Sequence, residues 1–246
     1  GGAIVGFLDP SHHPSELAAL ASRGVDAVAI EMIPRTTLAQ AMDGLSSQAT
    51  AAGYAAVLLG ASEMPKFMPM LVTAAGTIPP ARALILGVGV AGLQAIATAR
   101  RLGAVVYAYD IRPETREQVE SLGARFVDAP TQEMDEGGYA RAVDDELAAR
   151  QRDVLAAVVA DSDLVITTAQ VPGRTAPRLI DADVVARMRP GSVVIDMAAA
   201  SGGNVEGSIP DERVDVGGVT ILGPTDLAAR VAEDASRMFA RNLTEV

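Results

Sequence analysis

Three glycines at fixed spacing, in Gly87-Val-Gly-Val-Ala-Gly92, constrain the fold of this chain more than any other feature. They come directly after the apolar segment 83–86 and before a stretch, from about Val90, whose pattern predicts a helix. In such a turn the first glycine permits the tight bend, the second keeps the backbone open to another molecule, and the third lets the helix pack closely on the strand. The order strand, glycine turn and helix predicts a βαβ unit of a parallel sheet.

The same alternation of strand and helix continues along the rest of the chain. Strands are predicted at residues 3–8, 25–30, 83–86, 105–109, 124–127, 164–167, 193–196 and 219–222, and helices at 14–23 and from about residues 36, 90, 113, 141, 181 and 225. We therefore expect an α/β protein with a Rossmann-type, doubly wound, mostly parallel sheet in residues 46–211. A second, smaller α/β lobe is expected from residues 1–45, completed by residues 212–246.

The helix predicted from Thr36 has two different faces. Leu38, Met42 and Leu45 recur at helical spacing, whereas Gln40 and Asp43 fall on roughly the opposite face together with Ser47. The pattern predicts an apolar side that packs and a polar stripe that faces away from it.

Composition excludes several classes of function. The formal net charge of -11 disfavours a nucleic-acid groove or an anionic membrane patch. The chain has no cysteine and only two histidines, the adjacent His12 and His13, so no metal site is predicted. The longest weakly polar run, 83–99, is interrupted by glycines and too short to span a bilayer, so no direct membrane insertion is expected.

The glycine turn has the chemistry of a dinucleotide site. Helix N-terminal N–H groups favour phosphates, and Asp110, 18 residues beyond Gly92 at the end of the next strand, can accept both ribose hydroxyls and would repel a 2′-phosphate. The acidic residue at the strand end favours NAD over NADP. Arg112 alone would favour NADP, and we expect its side chain either to cover the adenine or to point into solvent. The predicted binding residues of this part are Gly87, Gly89, Val90, Ala91, Gly92, Asp110, Ile111 and Arg112. The alternative is a glycine-rich turn without a ligand.

Few side chains are available for proton transfer. A dehydrogenase acting on an alcohol or amine must remove a proton as the hydride leaves, and the candidates are His12, His13 and the single lysine, Lys66. A turn leading into a helix is the ordinary explanation for the two histidines, and a surface or structural role is favoured for Lys66. Hydride transfer between two nicotinamides moves no proton and needs only two rings held face to face.

The segment 33–57, IPRTTLAQAMDGLSSQATAAGYAAV, resembles the NAD(H)-binding component, domain I, of proton-translocating nicotinamide nucleotide transhydrogenases, as do MPKFMP, EGGYA, TTAQVPG, MRPGSVVIDMAA and SGGNVE further along. Arg35, Gln40, Asp43 and Ser46 have the spacing that distinguishes this family from the related alanine dehydrogenases. The resemblance implies catalytic roles for these four: Arg35, Asp43 and Ser46 hold the nicotinamide carboxamide and ribose, and Gln40 reaches toward the NADP(H) of a partner component.

The resemblance implies further NAD(H) contacts elsewhere in the chain. Gly138 and Tyr139 match a mobile loop that closes over the nucleotide, and Gln151, Thr168, Ala169 and Gln170 match positions that line its two ends. Asn204 matches a GGN turn and has a structural role as readily as a functional one.

The resemblance also implies partners and a location. NAD(H) binds here, NADP(H) binds a partner component, and a membrane-spanning component couples hydride transfer to proton translocation. A homodimer is expected, with the protein peripheral on the cytoplasmic face of the bacterial plasma membrane. Because the family's component begins earlier than this chain, we expect the smaller lobe to be incomplete at its N-terminus.

Two other functions remain open. One is an alanine-dehydrogenase-like NAD-dependent oxidoreductase, which shares the glycine turn and the VPG and PGSV segments; the histidine of those enzymes falls near Asp9 here. The other is a noncatalytic NAD-binding or assembly module.

Overall fold

The computed structural model describes residues 2–34, 36–129, 145–170 and 174–246, and residues 145–149 by their backbone only. The strands are β1 (Gly2–Gly6), β2 (Val25–Ala29), β3 (Leu71–Thr73), β4 (Gly76–Ile78), β5 (Arg82–Leu86), β6 (Val105–Tyr109), β7 (Arg125–Phe126), β8 (Leu164–Thr167), β9 (Val193–Asp196), β10 (Arg213–Val216) and β11 (Val219–Leu222). The helices are α1 (Pro14–Ser22), α2 (Gly44–Glu63), α3 (Val90–Arg101), α4 (Thr115–Ser121), α5 (Asp145–Ala160), α6 (Ala182–Val185) and α7 (Ala232–Thr244). The chain divides into two compact units, Gly1–Ala52 with Leu227–Val246, and Gly53–Asp226.

The smaller unit is built on the parallel pair of β1 and β2, joined through α1. The C-terminal helix α7 belongs to this unit: the Phe239 ring stacks on the Phe7 ring with centroids 5.1 Å apart. The Asn242 Nδ2 donates to the Ala41 carbonyl at 2.7 Å. Residues from the two ends of the sequence therefore share one small core.

The larger unit contains a seven-stranded sheet with the order β10-β11-β9-β8-β5-β6-β7. All its neighbours are parallel except the edge pair β10 and β11. Every residue of β8 and β9 is buried, as expected for central parallel strands covered on both faces, and this explains their uninterrupted apolar runs. The predicted Rossmann-type α/β fold is confirmed.

Two strand pairings were not predicted. Residues 71–78, for which no strand was predicted, form the β3–β4 hairpin. Strand β10 pairs antiparallel with β11 through Gly217 and Gly218, whose φ angles of 62° and 85° match a two-residue type I′ turn. A Gly-Gly dipeptide between alternating β-branched residues is the signal that predicts such a turn.

The prediction of a single long helix from Thr36 is wrong. Residues Thr37–Met42 form a 3₁₀ helix, and α2 begins separately at Gly44. Leu38, expected on the packed side, is 94% exposed. The Asp43 carboxylate accepts the Ser46 N–H at 2.9 Å and thereby starts a new helix, which runs without a break through Gly53.

The C-terminal helix predicted from residue 225 also begins later. A 3₁₀ turn, Leu227–Val231, precedes α7. Within the described part of the chain, no helix combines the length and the apolarity needed to cross a bilayer.

Candidate nucleotide-binding site

The glycine turn lies where β5 ends and α3 begins, and two of its glycines are required by the protein itself. Gly87 has a φ of +98°, and a Cβ there would lie 2.6 Å from the Thr168 Oγ1. A Cβ on Gly92 would lie 2.0 Å from the Gly87 carbonyl oxygen. Both positions exclude larger residues, the first by conformation and the second by packing of α3 onto the turn.

Gly89 is different, because nothing in the protein requires a glycine there. Its φ is −86°, and a Cβ would meet no protein atom within 4 Å. Gly89 and the following Val90 are exposed at the start of α3, where N–H groups of the first turn lack intrahelical partners. The residue type and the free space fit a backbone that a pyrophosphate approaches closely.

A fourth glycine brings another helix against this turn. Gly53 lies within α2, and a Cβ there would lie 2.2 Å from the Ala91 carbonyl oxygen in the first turn of α3. The two helix backbones touch at this point. The position of the helix N-terminus therefore depends on α2 as well as on the strand that precedes it.

Asp110 stands at the end of β6, beside the turn, and is 6% exposed. Its carboxylate accepts the Val88 N–H at 2.7 Å, the Arg112 N–H at 2.9 Å, and the Arg112 Nε and Nη2, each at 3.0 Å. Burial of the carboxyl group raises the pKa of Asp110, but the hydrogen bonds from Arg112 and Val88 outweigh it and leave the pKa below its ordinary value. Arg112, expected to cover the adenine or meet solvent, instead pairs with Asp110.

The loop after β8 closes the other side of the turn. The Thr168 Oγ1 donates to the Gly87 carbonyl at 3.0 Å, and its N–H donates to the Leu86 carbonyl at 2.8 Å. The exposed Gln170 donates through Nε2 to the Met197 carbonyl at 2.9 Å. Thr168 thus contacts the glycine turn directly, while the Gln170 amide is tied to the loop after β9.

Asn204, fully buried, holds this loop in place. Its Oδ1 accepts the Ala169 N–H at 3.1 Å, and its Nδ2 donates to the carbonyls of Ala169 at 2.9 Å and Pro177 at 2.7 Å. One side-chain amide therefore ties Ala169 to Pro177. The glycines before it have the positive φ angles of 105° and 78° that turn Asn204 toward the loop. These contacts favour the structural interpretation of the GGN turn.

The buried Asp196, at the end of β9, supports Asn204. Its two oxygens accept the Thr167 hydroxyl at 3.0 Å and the N–H groups of Ala198, Asn204 and Val205 at 3.0, 2.9 and 3.1 Å. Sequence reasoning missed this role of Asp196. The available signal was its place at the end of a central strand of the parallel sheet, where ligand-binding loops start.

Gln151, on α5, donates through Nε2 to the Tyr109 hydroxyl. Burial raises the pKa of Tyr109, with a smaller opposite effect of the Gln151 hydrogen bond and a further increase from the adjacent Asp110 carboxylate. Gln151 is thus held beside the end of β6, the strand that carries Asp110.

Among the four residues expected at the nicotinamide, Arg35 lies outside the described residues. Gln40 is exposed in the 3₁₀ helix, and Asp43 and Ser46 are half-buried at the start of α2. The Ser46 hydroxyl donates to the Asp43 carboxylate at 2.6 Å. Asp43 and Ser46 therefore cap the start of α2. Gly138 and Tyr139 also fall outside the described residues.

Of the candidates for proton transfer, His12 lies in an exposed turn, and Lys66 lies far from the glycine turn. His12 Nδ1 pairs with the exposed Asp9 carboxylate at 2.8 Å in the turn before α1. The Lys66 ammonium pairs with Asp163 at 2.8 Å, at the amino end of β8. Because β5 and β8 are parallel, Asp163 lies where these strands begin, and the glycine turn lies at the opposite end, where β5 ends. The described residues contain no cluster of histidine and acidic side chains arranged to bind a metal.

The model of the family "Alanine dehydrogenase/PNT, C-terminal domain" matches residues 56–246. The chain belongs to this alanine dehydrogenase/PNT family. The match covers the whole of the larger unit except its first three residues, and so includes the glycine turn, Asp110 and Asn204.

Within the alanine dehydrogenase/PNT family, the chain is more similar to several proteins named as transhydrogenases than to the alanine dehydrogenases that it matches. It is 46% identical over 245 residues to an NAD(P) transhydrogenase subunit alpha protein of Rickettsia prowazekii, covering 99% of this chain and 64% of the relative. The crystal structure of a transhydrogenase from Sinorhizobium meliloti superposes with a TM-score of 0.87 at 45% identity, covering 98% of this chain and 66% of that one. An alanine dehydrogenase of Halomonas elongata is 30% identical over 218 residues, 87% of this chain and 53% of the relative. The chain thus spans a little less than two thirds of the length of these two transhydrogenases, and about half of the length of two longer transhydrogenase alpha subunits.

Proposed function

We propose that this chain is the NAD(H)-binding component of a proton-translocating NAD(P) transhydrogenase. It takes part in direct hydride transfer between NADH bound here and NADP⁺ held on a partner component. The observation that carries the proposal is the glycine turn with Asp110 beside it, because Gly89 is open where a pyrophosphate would approach. The name of its relatives at 46% identity supports a transhydrogenase rather than another NAD-dependent enzyme.

In the larger unit, the N–H groups of Gly89 and of the first turn of α3 bind the pyrophosphate, and Asp110 accepts the hydroxyls of the adenosine ribose. Val90, Ile111 and Arg112 border this half of the nucleotide, and Gln151, Thr168, Ala169 and Gln170 contribute from the neighbouring loop and helix. Bound NADH supplies the hydride. The chain supplies position and a dry environment, since transfer between two nicotinamides needs no acid or base.

In the smaller unit, Asp43 and Ser46, together with Arg35, hold the carboxamide and ribose of the nicotinamide half. A carboxamide offers one acceptor and two donors, which a guanidinium, a carboxylate and a hydroxyl complement. Gln40, exposed in its 3₁₀ helix, extends toward the NADP(H) of the partner, and Tyr139 closes over the bound nucleotide.

The other parts of the proposal concern assembly. A partner component binds NADP(H), a membrane-spanning component couples transfer to proton translocation, and the protein lies on the cytoplasmic face of the bacterial plasma membrane. A homodimer is also proposed. The molar mass in solution, from light scattering, tests the dimer.

Two rival functions make different predictions. An alanine-dehydrogenase-like enzyme would oxidise alanine with NAD⁺. The observation in favour of this alternative is the 30% sequence identity to the alanine dehydrogenase of Halomonas elongata. Asp9 and His12 argue against it, because they pair with each other in an exposed turn. A noncatalytic module would bind NADH without passing its hydride on.

A mixing experiment separates the three. The chain is combined with NADH, a nicotinamide analogue of NADP⁺ whose reduced form absorbs at a different wavelength, and a transhydrogenase NADP(H)-binding component. Reduction of the analogue that requires both proteins supports the proposal. NADH binding without transfer supports a noncatalytic module, and robust NAD⁺-dependent oxidation of alanine supports the dehydrogenase.

A further inference from the structure

The protein itself occupies every hydrogen-bond acceptor position of the Asp110 carboxylate. A carboxylate accepts about four hydrogen bonds. At Asp110 these come from the Val88 N–H and from the backbone N–H, Nε and Nη2 of Arg112. Three of the four donors therefore belong to Arg112, and two of those lie on its side chain.

A ribose can take hydrogen bonds from Asp110 only where a present donor leaves. The two backbone N–H groups are fixed by the turns that contain them. The Arg112 side chain is 44% exposed, and beyond Asp110 its Nη2 donates to the Val88 carbonyl at 3.2 Å. The guanidinium is thus the donor that can withdraw, and the two positions it gives up equal the two hydroxyls of a ribose.

The same pair changes the electrostatics that the sequence suggested. Asp110 alone would repel a 2′-phosphate, but the guanidinium cancels its charge at 3.0 Å. A guanidinium released from Asp110 beside the ribose is a planar double donor that binds phosphate well. NADH and NADPH differ only at the 2′ position of this ribose. Arg112 therefore competes with the ribose hydroxyls of NADH for Asp110 and attracts the 2′-phosphate of NADPH.

We propose that Arg112 determines the selectivity of this site between NADH and NADPH, acting both as a competitor for Asp110 and as a partner for a 2′-phosphate. The proposal rests on the NAD(H)-binding function proposed above. The Arg112 side chain also supplies two of the four donors to a buried carboxylate, which explains why an NADH site contains it. Selectivity for NADH is then lower than an aspartate alone would give.

The test measures the dissociation constants of NADH and NADPH for the full chain and for variants, by nucleotide fluorescence and by calorimetry. In Arg112→Ala we expect the affinity for NADPH to fall at least tenfold relative to that for NADH, because the 2′-phosphate loses its partner while the NADH ribose loses its competitor. The ratio of the two constants should therefore increase about tenfold or more in favour of NADH. Arg112→Gln keeps a donor for Asp110 without the charge, and we expect the same direction.

Arg116→Ala is the matched control. Arg116 is an exposed arginine on α4 that pairs with Asp128 and Glu120, so its loss changes the net charge equally without touching Asp110. We expect no change in the ratio. Thermal melting establishes that each variant is folded.

An unchanged or lower ratio in both Arg112 variants overturns the proposal. So does wild-type protein that binds NADH but shows no binding of NADPH at millimolar concentration. Wild-type protein that binds neither nucleotide refutes the NAD(H)-binding function itself, which distinguishes the two failures.

Discussion

Replacement of Asn204 by alanine tests whether one buried amide organises the loop beside the glycine turn. The substitution removes two donated hydrogen bonds and one accepted bond, at 2.9, 2.7 and 3.1 Å. It leaves the Ala169 N–H and the carbonyls of Ala169 and Pro177 without these partners. The backbone N–H of residue 204, which donates to Asp196, is retained.

The cost follows from the number of groups left unpaired. Each buried polar group without a partner costs about 1–3 kcal/mol. Because Ala169 is only half-buried and Pro177 is exposed, water can reach the freed groups, and we take values near the lower end, for a total of about 3–5 kcal/mol. In a unit of this size about 1 kcal/mol lowers the Tm by roughly 2–4 °C, so a fall on the order of 10 °C is expected.

The assay is thermal and urea unfolding of wild-type protein, Asn204→Ala and the control Gln170→Ala. The control removes one hydrogen bond from an exposed side chain in the same loop, so it should cost less than about 1 kcal/mol. We also expect weaker NADH binding in Asn204→Ala at temperatures where the variant is folded, because Ala169 is adjacent to the residue that contacts Gly87. A Tm within about 2 °C of wild type would refute the reasoning, since it would mean that the three bonds contribute little.

Four further predictions follow from the site. In Gly89→Ala we expect the Tm to be nearly unchanged, because the new Cβ meets no atom and the φ suits any residue, while NADH affinity falls about tenfold or more; equal losses of stability and affinity would contradict this. In Gly53→Ala the Cβ at 2.2 Å from the Ala91 carbonyl oxygen should push the helices apart, lowering both Tm and NADH affinity, as melting and titration would show. Gln40→Asn should leave NADH affinity nearly intact and slow transfer in the mixing assay; a large loss of affinity would show that its role lies elsewhere. Folding lowers the pKa of Asp110, so the ionised carboxylate stabilises the fold at a pH above its unfolded pKa of about 3.9. This stabilisation is lost as the pH falls through the pKa of the folded state. In Asp110→Asn the free energy of unfolding, measured from pH 7 to pH 2, should therefore depend less on acid.

The sheet was predictable because its residues determine it locally. Strands β6, β8, β9 and β11 have the bounds that their apolar runs predicted. In β8 and β9 the reason is clear, since a parallel strand buried on both faces leaves an uninterrupted signal. The position of Asp110 followed in the same way, from the end of one such run. The break at Asp43 did not, because the helical spacing of Leu38, Met42 and Leu45 continues through a residue that caps a new helix.

The side-chain partners within the site were less predictable because they join distant segments. Asn204 binds Ala169, 35 residues away, and the sequence contains nothing that pairs the two. Arg112 is only two residues from Asp110, yet its preference for that carboxylate over solvent depends on the burial of Asp110 by the rest of the unit. Local sequence indicated that these residues belong near the site, and the fold decided what each one contacts.

The site therefore has two parts that should respond differently to mutation. The glycine turn is fixed by backbone packing, through Thr168 on one side and the Gly53 and Ala91 contact on the other. In the proposed site it faces the pyrophosphate, which NADH and NADPH share, so changes there should alter the affinities for both by the same factor. Asp110 and Arg112 form a side-chain pair with an exposed member, and in the proposed site they face the position where the two nucleotides differ. Only changes in this pair should alter the ratio of affinities, and a shift of that ratio by Gly53→Ala would show that the two parts are not separable.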